Sequence, residues 1–190
     1  MSLPNKHGGA AKSAKATAPG IGELERMLED SPSPQRVCLK LAQILHVRRH
    51  EVALFRLEMN CLRFVFPTEL RAAGAIPISG SAVAARTAAT RTALLSNFFA
   101  RVKHVSLFES IKLGVGEENE GSDQMPIQKI MSVPVAQPQG NVVGVIQISR
   151  KGLDPSLAGA DFTGQDLKEL ELAAEVIGRM PFMQEGTPLE

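Results

Sequence analysis

Two pairs of short segments, in which the character of the side chains alternates from one residue to the next, constrain the fold of this chain more than any other feature. Residues 52–59 and 61–66 form the first pair, and residues 129–136 and 141–149 form the second. In each run, residues two apart share a chemical character, as they do on one face of a strand. Short turns between such runs are typical of antiparallel neighbours. The sequence therefore predicts two antiparallel hairpins, with Pro134 at a bulge or at a position that donates nothing to the ladder.

Segments with helical spacing surround these hairpins. Apolar residues recur every three or four positions in 21–30, from Pro34 onward, and in 165–180. Pro34 can open the second of these helices, and Thr163, with Asp166 three residues on, is typical of an N-cap. We also expect helices at 82–90 and 103–113, and a short strand at 94–95.

A length of 190 residues suits one domain with tails. We interpret 1–20 as a disordered N-terminal arm, because it is rich in Ala, Gly, Lys and Ser and has almost nothing to bury. Residues 21–180 are predicted to form a single domain that includes the N-terminal helix. Residues 181–190 are predicted to be a flexible tail.

Composition excludes several functions. The formal net charge is +1, whereas a nucleic-acid-binding domain is normally strongly basic. No apolar stretch approaches the ~18 residues of a membrane span, and the N-terminus lacks the apolar core of a secretory signal. We therefore expect a soluble cytoplasmic protein with neither nucleic acid nor membrane as a partner.

The cysteines and histidines do not suggest a metal site. Cys38 and Cys61 form no CxxC pair, and we expect both to be free, buried thiols in a reducing compartment. His46 and His50 have a possible metal-ligand spacing, but Arg48 lies between them and no carboxylate completes the set.

Three segments carry a resemblance to a known family. Residues 76–87 read IPISGSAVAART, residues 131–148 contain MSVPV and VGVIQI around Gly140, and residues 162–174 begin FTGQDL. Together they resemble the GAF domain family over about residues 34–180. The resemblance implies an α+β, PAS-related fold with a central antiparallel sheet of five to six strands. Terminal helices are then expected on one face, and short helices and loops on the other.

The resemblance implies a bacterial, non-enzymatic sensory or regulatory domain in signal transduction, which binds a small molecule or a protein partner. It leaves the cofactor unknown. We cannot place the Asn-Lys-Phe-Asp-Glu signature of cyclic-nucleotide-binding members. Neither Cys38 nor Cys61 lies where bilin-binding members attach pigment. Members that reduce free methionine sulfoxide need several late cysteines, and this chain has none after Cys61.

The family's pocket lies between the sheet and the crossover region, here about 79–113. Helix-start amides, arginines and aromatic side chains in this region are candidates to hold an anion or line an apolar pocket. The candidate ligand-binding residues are Ser79, Ser81, Arg86, Arg91, Phe98, Phe99, His104 and Phe108. Six of them have a plain structural alternative: N-capping by Ser79, surface solvation or ion pairing for the two arginines, core packing for Phe98 and Phe99, and a surface position for His104.

The last helix carries two apolar stripes, one through Leu170 and Ile177 and one through Val176 and Met180. One stripe suffices to cover a sheet, so the second indicates another helix as partner. That helix belongs either to the chain's own N-terminus or to a second protomer. GAF proteins commonly dimerise through terminal helices, and we predict a homodimer through this region.

Two other functions remain open. A structural or interaction module, with its pocket filled by side chains such as Phe98, Phe99 and Phe108, would bind no ligand. An enzyme would need a cleft with a perturbed titratable group, for which His104 near Glu109 is a faint candidate.

Overall fold

The computed structural model describes residues 19–99 and 125–184. Elements are numbered in chain order over these residues. The helices are α1 (Pro19–Met27), α2 (Pro34–Ile44), α3 (Val83–Thr90) and α4 (Gly164–Ile177). The strands are β1 (Val52–Glu58), β2 (Cys61–Phe66), β3 (Ala75–Pro77), β4 (Leu94–Ser96), β5 (Ile127–Ala136) and β6 (Val142–Lys151). Short 3₁₀ segments cover Leu28–Asp30, Arg49–Glu51, Thr68–Ala73 and Pro181–Met183.

The described strands form one six-stranded sheet in the order β3-β2-β1-β6-β5-β4, and every neighbouring pair is antiparallel. This confirms the predicted α+β class and both hairpins. The two edge strands are three residues long. Short edge strands offer few unpaired backbone groups to another chain.

The first hairpin turns where the backbone becomes left-handed. Met59 and Asn60 have φ values of 46° and 62°, as a two-residue hairpin loop with matching twist requires. In the second hairpin, β4 pairs with β5 only as far as Ser132, so among the described strands Pro134 has a neighbour only in β6. The ladder bulges between Val135 and Ala136. Pro134 itself pairs with Val145 and lies just before this bulge, near the place that the sequence predicted.

Both predicted helix starts are present. Ser33 caps α2 by accepting a hydrogen bond from the Arg36 amide at 3.3 Å, and Pro34 occupies the first turn. Thr163 and Asp166 form a reciprocal capping box on α4, with the Asp166 carboxylate 2.7 Å from the Thr163 amide. These bonds satisfy amides that have no partner within the helix.

The two sides of the sheet are covered by different elements. Helices α1, α2 and α4 cover one side, which we call the helix-facing side, and bury one large apolar cluster against β1, β2, β5 and β6. Helix α3 and the turn Thr68–Ala73 cover the α3-facing side, where two smaller apolar clusters lie. This is the predicted arrangement of terminal helices on one face and short helices on the other.

Ordered structure extends beyond the predicted domain limits at 21 and 180. Helix α1 already begins at Pro19, and the turn Pro181–Met183 buries Phe182 and Met183 in the helix-facing cluster. The Arg56 guanidinium donates a hydrogen bond of 3.0 Å to the Phe182 carbonyl. Residues 181–184 are therefore packed, contrary to the expectation of a flexible tail there, because they supply apolar side chains to the core.

Both apolar stripes of α4 are covered within the chain. Val176 and Met180, from the second stripe, are buried in the same cluster as Ile21 and Leu24 of α1. Of the two partners that the sequence left open, the chain's own first helix therefore occupies this stripe. The homodimer stays a prediction, but the second stripe no longer supplies its reason.

The two cysteines differ. Cys38 is free and fully buried, and burial raises the pKa of its thiol. Cys61 is free but only partly buried, contrary to expectation, because it lies in β2 opposite β3 at the edge of the sheet.

Candidate functional site

Five buried polar side chains lie on the α3-facing side of the sheet. They are Thr87 of α3, Ser132 of β5, and Gln147, Ser149 and Lys151 of β6, and we call them the polar strip. Their exposed fractions range from 0% at Ser132 to 7% at Gln147. Polar side chains are mostly found at protein surfaces, so a buried row of them is an informative departure.

Hydrogen bonds join the inner part of the strip. Ser132 and Gln147 are direct cross-strand partners, and the Gln147 amide donates to the Ser132 hydroxyl at 3.2 Å. The Thr87 hydroxyl lies 2.8 Å from the same Ser132 oxygen. Ser132 thus links α3 to β5 and β6. Burying a hydroxyl without a partner is unfavourable, so these contacts make the strip compatible with a folded core.

The outer part of the strip meets a buried carboxylate. The Ser149 hydroxyl donates to the Glu51 carbonyl at 3.2 Å. The Glu51 side chain accepts from the Lys151 amide at 2.8 Å and from the Arg48 guanidinium at 2.7 Å. Arg48 also donates to the Lys151 carbonyl at 2.8 Å. These hydrogen bonds connect the start of β1 to the end of β6.

Its electrostatics keep Glu51 ionised. Burial by itself raises the pKa of this carboxyl, but hydrogen bonds from the Arg48 guanidinium and from the Lys151 and Arg48 amides outweigh that effect. The net result is a pKa held below its usual value of 4.5. A carboxylate so fully hydrogen-bonded is suited to holding structure rather than to taking up protons.

The chemistry of the strip is hydrogen bonding by hydroxyl, amide and ammonium groups. Among residues 19–99 and 125–184, no three histidine, cysteine or acidic side chains lie together as metal ligands would. The fully buried Cys38 lies in α2 on the other side of the sheet, and its raised pKa disfavours the thiolate that a nucleophile needs. The arrangement is suited to binding a polar group.

The polar candidates chosen from the sequence lie outside the strip. Ser79, Ser81, Arg86 and Arg91 are exposed. Helix α3 begins at Val83, without a side-chain cap, so Ser79 is not its N-cap. The buried residues of α3 are Val83, Ala84, Ala85, Thr87 and Ala88, which leaves Arg86 on its outer side. The structure does not bring these four residues together with the strip.

The two described aromatic candidates have different surroundings. Phe99 is buried at 2% exposure in a cluster with Val83, Ile127 and Ile130, as its core-packing alternative predicted. Its neighbour Phe98 is 58% exposed. His104 and Phe108, like the predicted helix at 103–113 and the candidate Glu109, lie outside the described residues.

The sequence did not single out the polar strip because its signal is ambiguous. Gln147, Ser149 and Lys151 alternate with Ile146 and Ile148, and this alternation ordinarily indicates a strand with one face in water. In the structure β6 lies between β1 and β5, and its polar face is covered. The sequence pattern does not show that β6 lies inside the sheet, with its polar face covered by other parts of the chain.

Comparison with known proteins shows the fold. No family model matches the sequence, and no curated protein does. Among solved structures, the GAF domain of an Acinetobacter phosphoenolpyruvate-protein phosphotransferase has a TM-score of 0.59 at 12% identity, over 86% of this chain and 91% of that one. The A. aeolicus nlh2 GAF domain in an inactive state has a TM-score of 0.56 at 14% identity, over 87% and 95%.

A third similar structure is an enzyme. The free methionine-R-sulfoxide reductase from Neisseria meningitidis, in complex with its substrate, has a TM-score of 0.54 at 15% identity, over 95% of this chain and 97% of that one. At such identities the likeness concerns the fold alone. The chain has the GAF domain fold, as its sequence motifs predicted. No helix in the described ranges is both long and apolar enough to cross a membrane.

Proposed function

We propose that this chain is a non-enzymatic regulatory domain that binds a small polar molecule on the α3-facing side of its sheet. The buried polar strip is the observation that carries the proposal. The helix-facing side buries a large apolar cluster beside the charged Arg56 and Lys129, whereas the opposite side of the same strands places a connected row of hydroxyl, amide and ammonium groups in its interior. Binding sites combine apolar walls with a few such placed polar groups.

The strip has neighbours suited to a pocket wall. Ile130, Val83 and Phe99 form an apolar cluster on the same side, and Leu94 of β4 packs against it. Ser132 is the direct partner of Leu94 across β4 and β5. A ligand on this side would meet hydrogen-bonding groups of β5 and β6 next to an apolar wall, which fixes the orientation of a molecule with one polar and one apolar end.

The absence of catalysis is part of this proposal. The reductase of similar fold is an enzyme, but here Cys38 is buried and Cys61 lies in β2, and the full sequence contains no later cysteine. We expect no reduction of free methionine-R-sulfoxide. We further propose a cytoplasmic location, in keeping with two free thiols.

The homodimer also remains a proposal. The outer positions of α4 carry the exposed residues Gln165, Lys168, Glu171 and Glu175, and the exposed Arg179 follows its end. Contact between two copies through this surface would therefore be polar, and its strength would depend on salt.

One observation favours the second candidate function, an interaction module with a filled pocket. Thr87, Ser132 and Gln147 already bond to one another, so the strip needs no ligand to satisfy these groups. A ligand must then offer hydrogen bonds at least as good as those it displaces.

Native mass spectrometry together with thermal shift separates the two candidates. The purified chain is screened against nucleotides, amino acids and haem, because a ligand that binds the folded form raises its melting temperature. Gln147→Ala is the test variant, and Gln165→Ala, at an exposed glutamine of α4, is its matched control. We expect a ligand that stabilises the wild type and the control but not Gln147→Ala. No mass adduct and no stabilisation across the screen would favour the filled pocket.

A further inference from the structure

Three polar side chains hold the segment that leads into α4. This lead-in segment, residues 159–162, is contacted from the helix-facing side of the sheet by Asn97, Lys129 and Arg150. Lys129 and Arg150 are direct partners across β5 and β6, and Asn97 follows the β4 residue paired with Ile130. The three residues thus form one row across three strands.

Each member of the row contacts a different part of the lead-in segment. The Lys129 ammonium lies 2.5 Å from the Gly159 carbonyl and 2.8 Å from the Asp161 carboxylate. The Arg150 guanidinium lies 4.8 Å from the centre of the Phe162 ring. These are an ion pair and a cation–π contact, and both tolerate small shifts of the backbone.

Asn97 makes the more directional contact. Its amide nitrogen donates to the Phe162 carbonyl at 2.9 Å, and its amide oxygen accepts from the Phe162 amide at the same distance. Both polar groups of one backbone residue are therefore fixed by a single side chain. The next residue is Thr163, whose capping box with Asp166 starts α4. Asn97 thus holds the residue immediately before the N-cap of α4.

Strand β4 reaches both sides of the sheet just before Asn97. Leu94 packs against the cluster of Val83 and Phe99 on the α3-facing side, whereas Leu95 packs against the helix-facing cluster. Among the strands that the structure describes, the three-residue β4 lies at the edge of the sheet and pairs only with β5. Such a strand is held by few backbone hydrogen bonds, so it moves at lower cost than the central strands.

We propose that β4 is a mechanical link, in which a displacement of Leu94 on the α3-facing side passes through Asn97 to the first turn of α4. The link gives the domain a route from its proposed ligand side to a terminal helix. It is a property of the chain without ligand, so it stands or falls separately from the proposed function.

Hydrogen exchange followed by mass spectrometry tests the link on the full chain. The measured quantity is the exchange rate of amides 163–168 under native conditions. Leu94→Ala perturbs β4 from the α3-facing side. Leu57→Ala is the matched control, because Leu57 is also partly buried and packs against the other α3-facing cluster, at β1. We expect Leu94→Ala to raise the exchange rate about ten-fold above the control, the order expected for loss of one good hydrogen bond.

The double variant tests the role of Asn97. In an Asn97→Ala background, where exchange at 163–168 is already raised, we expect Leu94→Ala to add nothing, because its effect passes through the missing side chain. Equal effects of Leu94→Ala and Leu57→Ala would overturn the link, as would an undiminished effect of Leu94→Ala without Asn97. Should Leu94→Ala fail to fold, Leu94→Val against Leu57→Val gives the same comparison.

Discussion

The two sides of the sheet are built from the same strands, yet they differ in chemistry. On β5, Met131 and Val133 enter the helix-facing cluster, while Ser132 between them enters the polar strip. The helix-facing side has one large apolar core under three helices, and its buried charged side chains, Arg56 and Lys129, bond to Phe182 and to the lead-in segment. The α3-facing side divides into two apolar clusters with polar groups between them.

This difference assigns separate tasks to the two sides. A continuous apolar core maximises the area removed from water and supplies most of the stability. Buried hydroxyl and amide groups contribute little net stability, but they impose geometry on whatever contacts them. Stability is therefore expected to depend on the helix-facing side, and specificity on the α3-facing side.

The largest expected effect is on the helix-facing side. Leu170→Ala removes a side chain with 0% exposure from the core, and we expect a loss of about 2–5 kcal/mol in the free energy of unfolding. Urea denaturation measures it. Leu172→Ala, at a partly buried leucine of the same helix, is the control and should cost clearly less. Equal losses at the two leucines would contradict the placement of the core.

The next effect concerns the buried Glu51. Glu51→Gln leaves the Arg48 guanidinium without its carboxylate, and we expect a loss of roughly 1–3 kcal/mol. Because the pKa of Glu51 is lowered on folding, its contribution is present above the unfolded pKa and is lost as the pH falls through the folded value. The free energy of unfolding of the wild type should therefore decrease as the pH is lowered past about 4.5, the usual pKa of this group.

Glu51→Gln should lose this part of the acid sensitivity. The measurement is the melting temperature between about pH 3 and pH 7, a range that extends to both sides of the ordinary carboxyl pKa. Glu171→Gln, at an exposed position of α4, keeps it. The same acid sensitivity in the Glu51 variant as in the wild type would show that other carboxyls dominate.

A smaller effect is expected within the polar strip. Ser132→Ala removes the bonding partner of both Thr87 and Gln147, and Thr87→Val removes one of the two hydrogen bonds of Ser132. We expect each to cost about 1–2 kcal/mol in unfolding free energy. The double variant should cost less than the sum of the two, because both substitutions remove the same 2.8 Å hydrogen bond. Chemical denaturation of the four proteins measures this coupling. Strictly additive losses, or a Ser132→Ala loss as large as that of Leu170→Ala, would break the comparison between the sides.

The smallest effect is at the surface of the lead-in segment. Asp161 is 63% exposed where it pairs with Lys129, whose own side chain is only 5% exposed. Asparagine keeps a carbonyl oxygen in this place and Lys129 keeps the Gly159 carbonyl, so we expect Asp161→Asn to cost less than about 1 kcal/mol, with a smaller cost at high salt. Thermal melts at two salt concentrations measure it. Glu175→Gln, at another exposed carboxylate, is the control. A loss of stability that is the same at both salt concentrations would indicate that ions screen this pair less than expected for a carboxylate that is 63% exposed.

Much of the fold follows from local signals. The two hairpins, the caps at Ser33 and Thr163, and the bulge near Pro134 depend on residues close in sequence. Less of the candidate site was predicted. Thr87 and Ser132 are 45 residues apart, and Glu51 and Lys151 are 100 apart. No local pattern marks such pairs, and the exposed arginines that the sequence favoured are more conspicuous than a buried serine.

By itself the sequence determined which segments form strands and helices and which residues share a face, because backbone geometry and side-chain alternation are local properties. The tertiary structure alone decided that the polar face of β6 is covered, that Phe182 and Met183 join the core, and that α1 occupies the second stripe of α4. Whether a face meets water or protein depends on what the rest of the chain places against it, and that information is distributed over distant residues.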